Sequence, residues 1–198
     1  MVKRILWMVG MVAVAVLTGC KTQSTSVSIS ENHQLVYNLN FGGSNYNFIV
    51  EVLSKSPSLS FNYAMTNGNN TSGKVTIMPG ALDSARVQNN YFSGGDLVLD
   101  QETTVWLSKR VFNELSSTGK TVMEFSSLFG SETVNFSKTG EENFEISVNG
   151  TKKKVSTILA SDTDGKGYSY RILNNPSEPL ILEMNLGWSI GLKEINFN

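Results

Sequence analysis

The chain has 198 residues, 40% of them hydrophobic, with a formal net charge of −1 and one cysteine. That near-neutral balance, without a basic stripe or an interleaved aromatic platform, excludes a nucleic-acid-binding surface. One cysteine and one histidine leave no disulfide and no Cys-based metal site.

The first segment reads as an address. "MVKRILWMVGMVAVAVLTGC" places Lys3 and Arg4 before an apolar stretch, Ile5 to Leu17, and ends in Leu17-Thr18-Gly19-Cys20. A basic head, a short apolar middle and small residues before a cleavage point make a secretory signal. The apolar stretch is short of the ~20 residues that a membrane-spanning helix needs. Leu-Thr-Gly-Cys resembles the bacterial lipobox, which implies that residues 1–19 are a lipoprotein signal peptide and that Cys20 is lipidated. About 179 residues then remain, enough for one domain with a sizeable core, and the formal charge moves to about −3. Acyl chains on Cys20 would hold that body at a membrane, each buried CH₂ adding about 0.8 kcal/mol.

"KTQSTSVSISEN", Lys21 to Asn32, is rich in Ser and Thr, so residues 20–32 are expected to form the lipidated cysteine and a flexible tether. Lys21 stands where an inner-membrane retention Asp sits in enteric bacteria. The resemblance implies the outer membrane, facing the periplasm.

From His33 to the end the chain reads as a single β-rich domain, residues 33–198. "HQLVYNLNF" and "YNFIVEVL" flank Gly42-Gly43-Ser44-Asn45, a hairpin break. "SLSFNYAM" and "KVTIM" follow, separated by "NGNNTSG". One helix interrupts the series: in "VWLSKRVFNELSSTGKT", Val111, Phe112 and Leu115 keep helical spacing and Leu107 extends it. Ser108 is placed to cap it and Gly119 to end it, giving about nine residues that must dock on a sheet to persist. "ENFEISV" and "TKKKVSTILA" meet across Asn149-Gly150, the pair a tight type I′ turn prefers. "GYSYRIL" leads to "PLILEMNLGWSIGLKEI".

That last stretch carries the strongest pattern. Leu180, Leu182, Met184, Leu186, Trp188, Ile190 and Leu192 share one face, while Ile181, Glu183, Asn185, Gly187, Ser189, Gly191 and Lys193 share the other. Thirteen residues at ~3.3 Å each would be long for a flat strand. Gly187 and Gly191 allow either one strongly curved strand or two strands bent at Gly187. The expected fold is all-β, a mainly antiparallel curved sheet or half-open barrel with one short α-helix.

Several motifs invite chemistry and fall short of it. "SSTGKTV" ends like a phosphate-binding loop but follows a helix, has Glu114 where a glycine is required, and would meet no ATP in the envelope. Ser117 and Lys120 keep the Ser-x-x-Lys spacing of penicillin-recognising enzymes, but they straddle the expected helix end. Asp162-x-Asp164-Gly165 opens like a calcium loop without its closing ligands, and Asp and Gly serve a hairpin turn equally well. His33, alone at the tether's edge, reads as solvated. Glu141-Glu142 precede a strand and are expected to face water. Lys152-Lys153-Lys154 read as solvated edge protection, with contact to anionic headgroups as the functional alternative. Asp83-Ser84-Ala85 resembles a short O-glycosylation acceptor centred on Ser84. No catalytic residue, metal or cofactor is expected.

The stretches "TTVWLSKRVFNEL", "LFGSETVNF", "VNGTKKKVSTILA", "YSYRILNNPSEPLILEM" and "WSIGLKEI" give residues 33–196 a resemblance to the domain of unknown function 3108-like family of secreted proteins. The resemblance implies an envelope β-sheet protein with no established catalytic residues. More distantly it looks like the open half-barrels of lipoprotein-carrier proteins, which hold acyl chains in an apolar concavity.

Burying the seven stripe side chains is worth on the order of 10–20 kcal/mol, against a net domain stability of about 5–15 kcal/mol. The face must therefore be covered: by the protein's own core, with Leu107, Phe112, Leu115, Phe48, Phe61 and Tyr63 as candidates, by a bound lipid, or by a partner. The leading expectation is a non-catalytic envelope lipoprotein with a structural or assembly role, contacting the membrane through its lipid and other envelope proteins through its body. The alternative is a carrier or sensor of a lipid or other apolar ligand, and an enzyme with converging polar side chains is the third reading.

Overall fold

The structure, a computed structural model, describes residues 26–66, 71–90, 92–127 and 130–197. The signal segment 1–19 and Cys20 lie outside the described residues.

Short strands with alternating burial pair into one sheet. In chain order they are β1 (His33–Phe41), β2 (Ser44–Ser54), β3 (Leu59–Met65), β4 (Ser72–Ile77), the helix α1 (Pro79–Ser84), β5 (Val87–Asn89), β6 (Leu97–Leu99) and β7 (Glu102–Thr103). Then come the helix α2 (Lys109–Ser117), β8 (Lys120–Ser127), β9 (Gly130–Val148), β10 (Thr151–Asp162), β11 (Ser169–Leu173), β12 (Ile181–Asn185) and β13 (Ser189–Phe197). The thirteen strands lie in the order β6-β4-β3-β2-β1-β13-β12-β11-β10-β9-β8-β5-β7. Ser147 and Val148 of β9 also pair in parallel with Glu194 and Ile195 of β13, so the sheet returns on itself. The fold is all-β and curved, as the alternation implies.

Local chemistry explains the turns. Gly42 and Gly43, both at positive φ, close β1 onto β2, and Asn149-Gly150 does the same for β9 and β10. The helix α2 begins where Ser108 accepts a hydrogen bond from the Val111 backbone N–H at 3.2 Å, and it ends before Gly119 at φ +73°. Leu107 lies just ahead of that cap, buried, its N–H donating to the Pro179 carbonyl at 2.9 Å. The helix α1 has only six residues and no apolar period that a sequence reading could detect.

Of the two alternatives for the C-terminal ribbon, the bend at Gly187 is the one adopted. β12 and β13 form a hairpin in which Met184 pairs with Ile190 and Asn185 with Ser189. Gly187 sits at φ +83° in the turn, whereas Gly191 is an ordinary strand position. Because partners across a hairpin point to the same side, the stripe stays on one face through the turn.

Two expectations need correction. The segment described from Ser26 to Asn32 is docked, not loose: Val27 and Ile29 are buried, and Lys55 Nζ donates to the Ile29 carbonyl at 2.8 Å. The alternating Val27-Ser28-Ile29 supplies two core side chains from within a polar stretch. The polar face of the ribbon is also not uniformly polar, because Ile181 is fully buried. A bulge between Arg171 and Ile172 brings Ile172 opposite Ile181, and Val105 and Tyr37 bond the Ile181 backbone from other elements.

Candidate ligand-binding cleft

The stripe divides along its length. Leu180, Leu182, Met184, Ile190 and Leu192 are buried, as are all six side chains expected to cover the stripe. Trp106 bridges Leu180 from across the core. Toward the hairpin turn the cover thins, and Leu186 and Trp188 are only partly buried. There Met184, Ile190 and Trp188 form one wall of a half-open cleft of about 300 Å³.

Register explains the wall. Tyr170, Met184, Ile190, Leu39 and Tyr46 are successive partners across β11, β12, β13, β1 and β2. Their side chains therefore stand on one face in a row. Phe48, two residues beyond Tyr46, continues it, and the exposed Phe41 forms the rim at the β1–β2 turn. The opposite wall comes from Gln88, Asn90, Phe92, Thr104 and Val105, with Met65 closing one side. Phe92 lies 4.9 Å from both Phe48 and Tyr63, ring centroid to centroid, in tilted and edge-on arrangements.

The second wall was not read from the sequence. β5, β6 and β7 have three, three and two residues, too few for a period to show.

Polar groups at the cleft are neutral, and Gln88 among them is engaged. Gln88, 1% exposed, accepts from the Tyr170 hydroxyl and donates to the Thr104 carbonyl at 3.0 Å. Its amide nitrogen also lies 3.4 Å from the Met184 sulfur. Burial pushes the Tyr170 hydroxyl well above its usual range, so it stays protonated as the donor. None of the thirteen lining residues carries a formal charge.

Other concavities are larger, at about 330, 450, 470 and 570 Å³, and in the two largest the charged groups already have partners. One of about 470 Å³ on the polar face contains Arg171, paired with Glu183 at 2.6 Å and also with Glu142. Another of about 570 Å³ contains Lys55, paired with Glu178, and Lys109, paired with Asp83 at 2.7 Å. Glu178 is nearly fully buried and also accepts from the Trp106 indole N–H at 2.7 Å.

The motifs singled out in the sequence lie apart from the cleft. Asp162 accepts from the backbone N–H groups of Lys166, Asp164 and Tyr168 at 2.8, 3.0 and 2.7 Å. These bonds, led by Lys166, hold its carboxyl below the ordinary range, while Asp164 is spent on Asn135. This is a braced turn. Ser117 donates to the Asn113 carbonyl at 2.6 Å on the last residue of α2, and Lys120 opens β8. Glu141 and Glu142 are exposed and paired with Lys138 and Arg171. Lys152 pairs with the exposed Glu145 at 2.7 Å. Ser84, exposed at the end of α1, donates to the Gly80 carbonyl at 2.9 Å. His33 is half-buried, not free in solvent: its Nδ1 accepts from the Ser30 N–H at 3.1 Å and its ring stacks on Phe197 at 4.1 Å.

A scan of protein-family models, a search of curated proteins and a search of solved structures each return no match to this chain.

Proposed function

We propose that this chain is a non-catalytic lipoprotein of the bacterial envelope, anchored through Cys20, whose body binds a small apolar ligand as a carrier or sensor. The observation that carries the reading is the uncharged cleft of about 300 Å³ at Met184, Trp188 and Ile190. That volume lies at the lower end of the range typical of small-molecule sites. The same curved sheet that buries five of the seven stripe side chains leaves Leu186 and Trp188 only partly covered, where a large apolar face would otherwise favour complete closure.

Orientation supports a binding role over passive anchoring. The described chain begins beside Lys55 and Glu178, at the first residues of β1. The cleft lies around Leu39 and Phe41, at the last residues of β1. Nine strand residues put about 27 Å between the two ends. A body leashed at its N-terminus therefore holds the mouth away from the anchoring point. The polar groups that suggest chemistry in the sequence are bound in turns, caps and surface pairs, which favours binding over catalysis.

Native mass spectrometry of the protein extracted from cells tests the reading. A small apolar molecule should accompany the wild type and be lost from Ile190→Trp, which fills the cleft. A ligand-free wild type with an unaltered cell phenotype for Ile190→Trp would instead favour the structural or assembly role. Cys20→Ala should move the protein out of the membrane fraction, and retention there would defeat the anchoring half of the proposal.

A further inference from the structure

The chemistry of the cleft walls narrows the ligand class, an inference that rests on the binding role just described. We infer that the cleft selects compact, uncharged, ring-bearing molecules with one or two hydrogen-bonding groups, in preference to fatty-acyl chains.

Three features lead there. First, the lining is rich in aromatic side chains: Phe41, Tyr46, Phe48, Phe92 and Trp188 contribute five rings. The ring pairs Phe48 with Phe92 and Tyr63 with Phe92 are inclined by 53° and 61°, a tilted packing that another ring can extend. Met65 and Met184 add polarizable sulfur suited to aromatic contact. Second, the cleft is small and half-open, a volume for a molecule of one or two fused rings and not for the chains of a membrane lipid. With no charged side chain in the lining, a carboxylate drawn inside would find no counter-ion and would lose its hydration uncompensated.

Third, the neutral polar groups are unequally engaged. Gln88 is already engaged by Tyr170 and Thr104. Asn90 and the buried Thr104 line the same wall, and neither side chain has a hydrogen-bond partner among the described residues. With the Tyr46 hydroxyl and the Trp188 indole N–H of the same lining, they are the groups available to a ligand hydroxyl, carbonyl or amide. A hydroxyl on a ring would satisfy one of them at the moment water is displaced.

The experiment uses the chain from Lys21 onward, since the described sheet and core lie within residues 26–197. That chain retains two tryptophans, Trp106 and Trp188. Trp188 lies in the cleft, whereas the Trp106 indole is bonded to Glu178 at the far end, so their indole N–H resonances form a probe and an internal control. Titration with 2-naphthol should shift Trp188 and leave Trp106 in place, and dodecanoate should bind at least tenfold more weakly. Asn90→Ala should weaken 2-naphthol about three- to tenfold, the worth of one hydrogen bond, without changing binding of 2-methylnaphthalene. Thr104→Val is the second variant should Asn90→Ala lose its folded Trp106 signal. Dodecanoate binding as tightly as 2-naphthol overturns the ligand class while leaving an apolar-binding role. If neither compound moves Trp188, the binding role itself falls. Unchanged 2-naphthol affinity in both folded variants removes the assigned polar contact and overturns the selectivity.

Discussion

Leu182 and Trp188 lie six residues apart on the same face of one hairpin, yet Leu182 is fully enclosed and Trp188 only partly so. The difference comes from what lies opposite. Around Leu182 the backbone is cross-linked to other elements: Trp106 bridges Leu180, the Ile181 N–H donates to the Val105 carbonyl at 2.9 Å, and the Tyr37 hydroxyl donates to the Ile181 carbonyl at 2.9 Å. Around Trp188 the facing wall is a three-residue strand and the segment that follows it. Alternation tells which face of a ribbon is apolar. How tightly that face is covered depends on elements elsewhere in the chain, and here the looser cover makes the cleft.

Deletion of side-chain volume gives the largest expected effect and the hardest test of this contrast. Leu182→Ala removes atoms from a fully enclosed position and should cost about 2–5 kcal/mol in urea unfolding. Ile190→Ala should fall at or below ~2 kcal/mol, because its site already borders open volume. Equal losses would erase the distinction between the two ends.

Added volume sharpens it from the other side. Leu182→Phe should cost about 1–3 kcal/mol, since the enclosed end has no room for a ring. Ile190→Phe should cost less than ~1 kcal/mol and abolish the Trp188 shift on titration with 2-naphthol. A large destabilisation from Ile190→Phe would mean that the cleft closes in solution.

The same contrast separates what was legible in the sequence from what was not. Gly42-Gly43, Asn149-Gly150, Ser108 and Gly119 act through neighbours within a few residues, and each takes the role its chemistry implies. The stripe from Leu180 to Leu192 was legible as a face for the same reason. The wall formed by Gln88, Asn90, Phe92 and Thr104 was not, because it joins segments too short for periodicity and is assembled only by β5 pairing with β7 and β8. The buried Val27 and Ile29 were hidden by composition, since Ser and Thr around them suggest a solvated tether. Their own period of two was the available signal.

At the far end, Lys55 joins the N-terminal segment to the sheet. Its ammonium bridges Glu178 and the Ile29 carbonyl, and it is less than one-third exposed. Lys55→Met should cost about 1–2 kcal/mol by leaving those acceptors short of a donor. It should also speed amide exchange in residues 26–32 while leaving 2-naphthol binding at the cleft unchanged. Weakened ligand binding in this variant would show that the two ends are coupled.

The smallest effect is electrostatic and involves His33. Burial lowers its pKa from the ordinary 6.5, nearby Lys55 lowers it further, and Glu178 acts in the opposite direction. Geometry agrees with a neutral ring, because Nδ1 must keep its lone pair to accept from the Ser30 N–H, while Phe197 covers one face. With the folded pKa below the unfolded one, this contribution to stability is complete above pH 6.5. As pH falls below 6.5 the unfolded chain takes up the proton first, so stability declines until the folded-state pKa has been passed and the loss is complete. His33→Gln cannot titrate, and the comparison subtracts the carboxylates that also respond to acid. Between pH 7.5 and 5, Tm should therefore fall slightly further for the wild type than for His33→Gln, with the excess confined to that window. Parallel melting curves would mean that the Ser30–His33 turn survives protonation and that the N-terminal end is held by Lys55, Val27 and Ile29 alone.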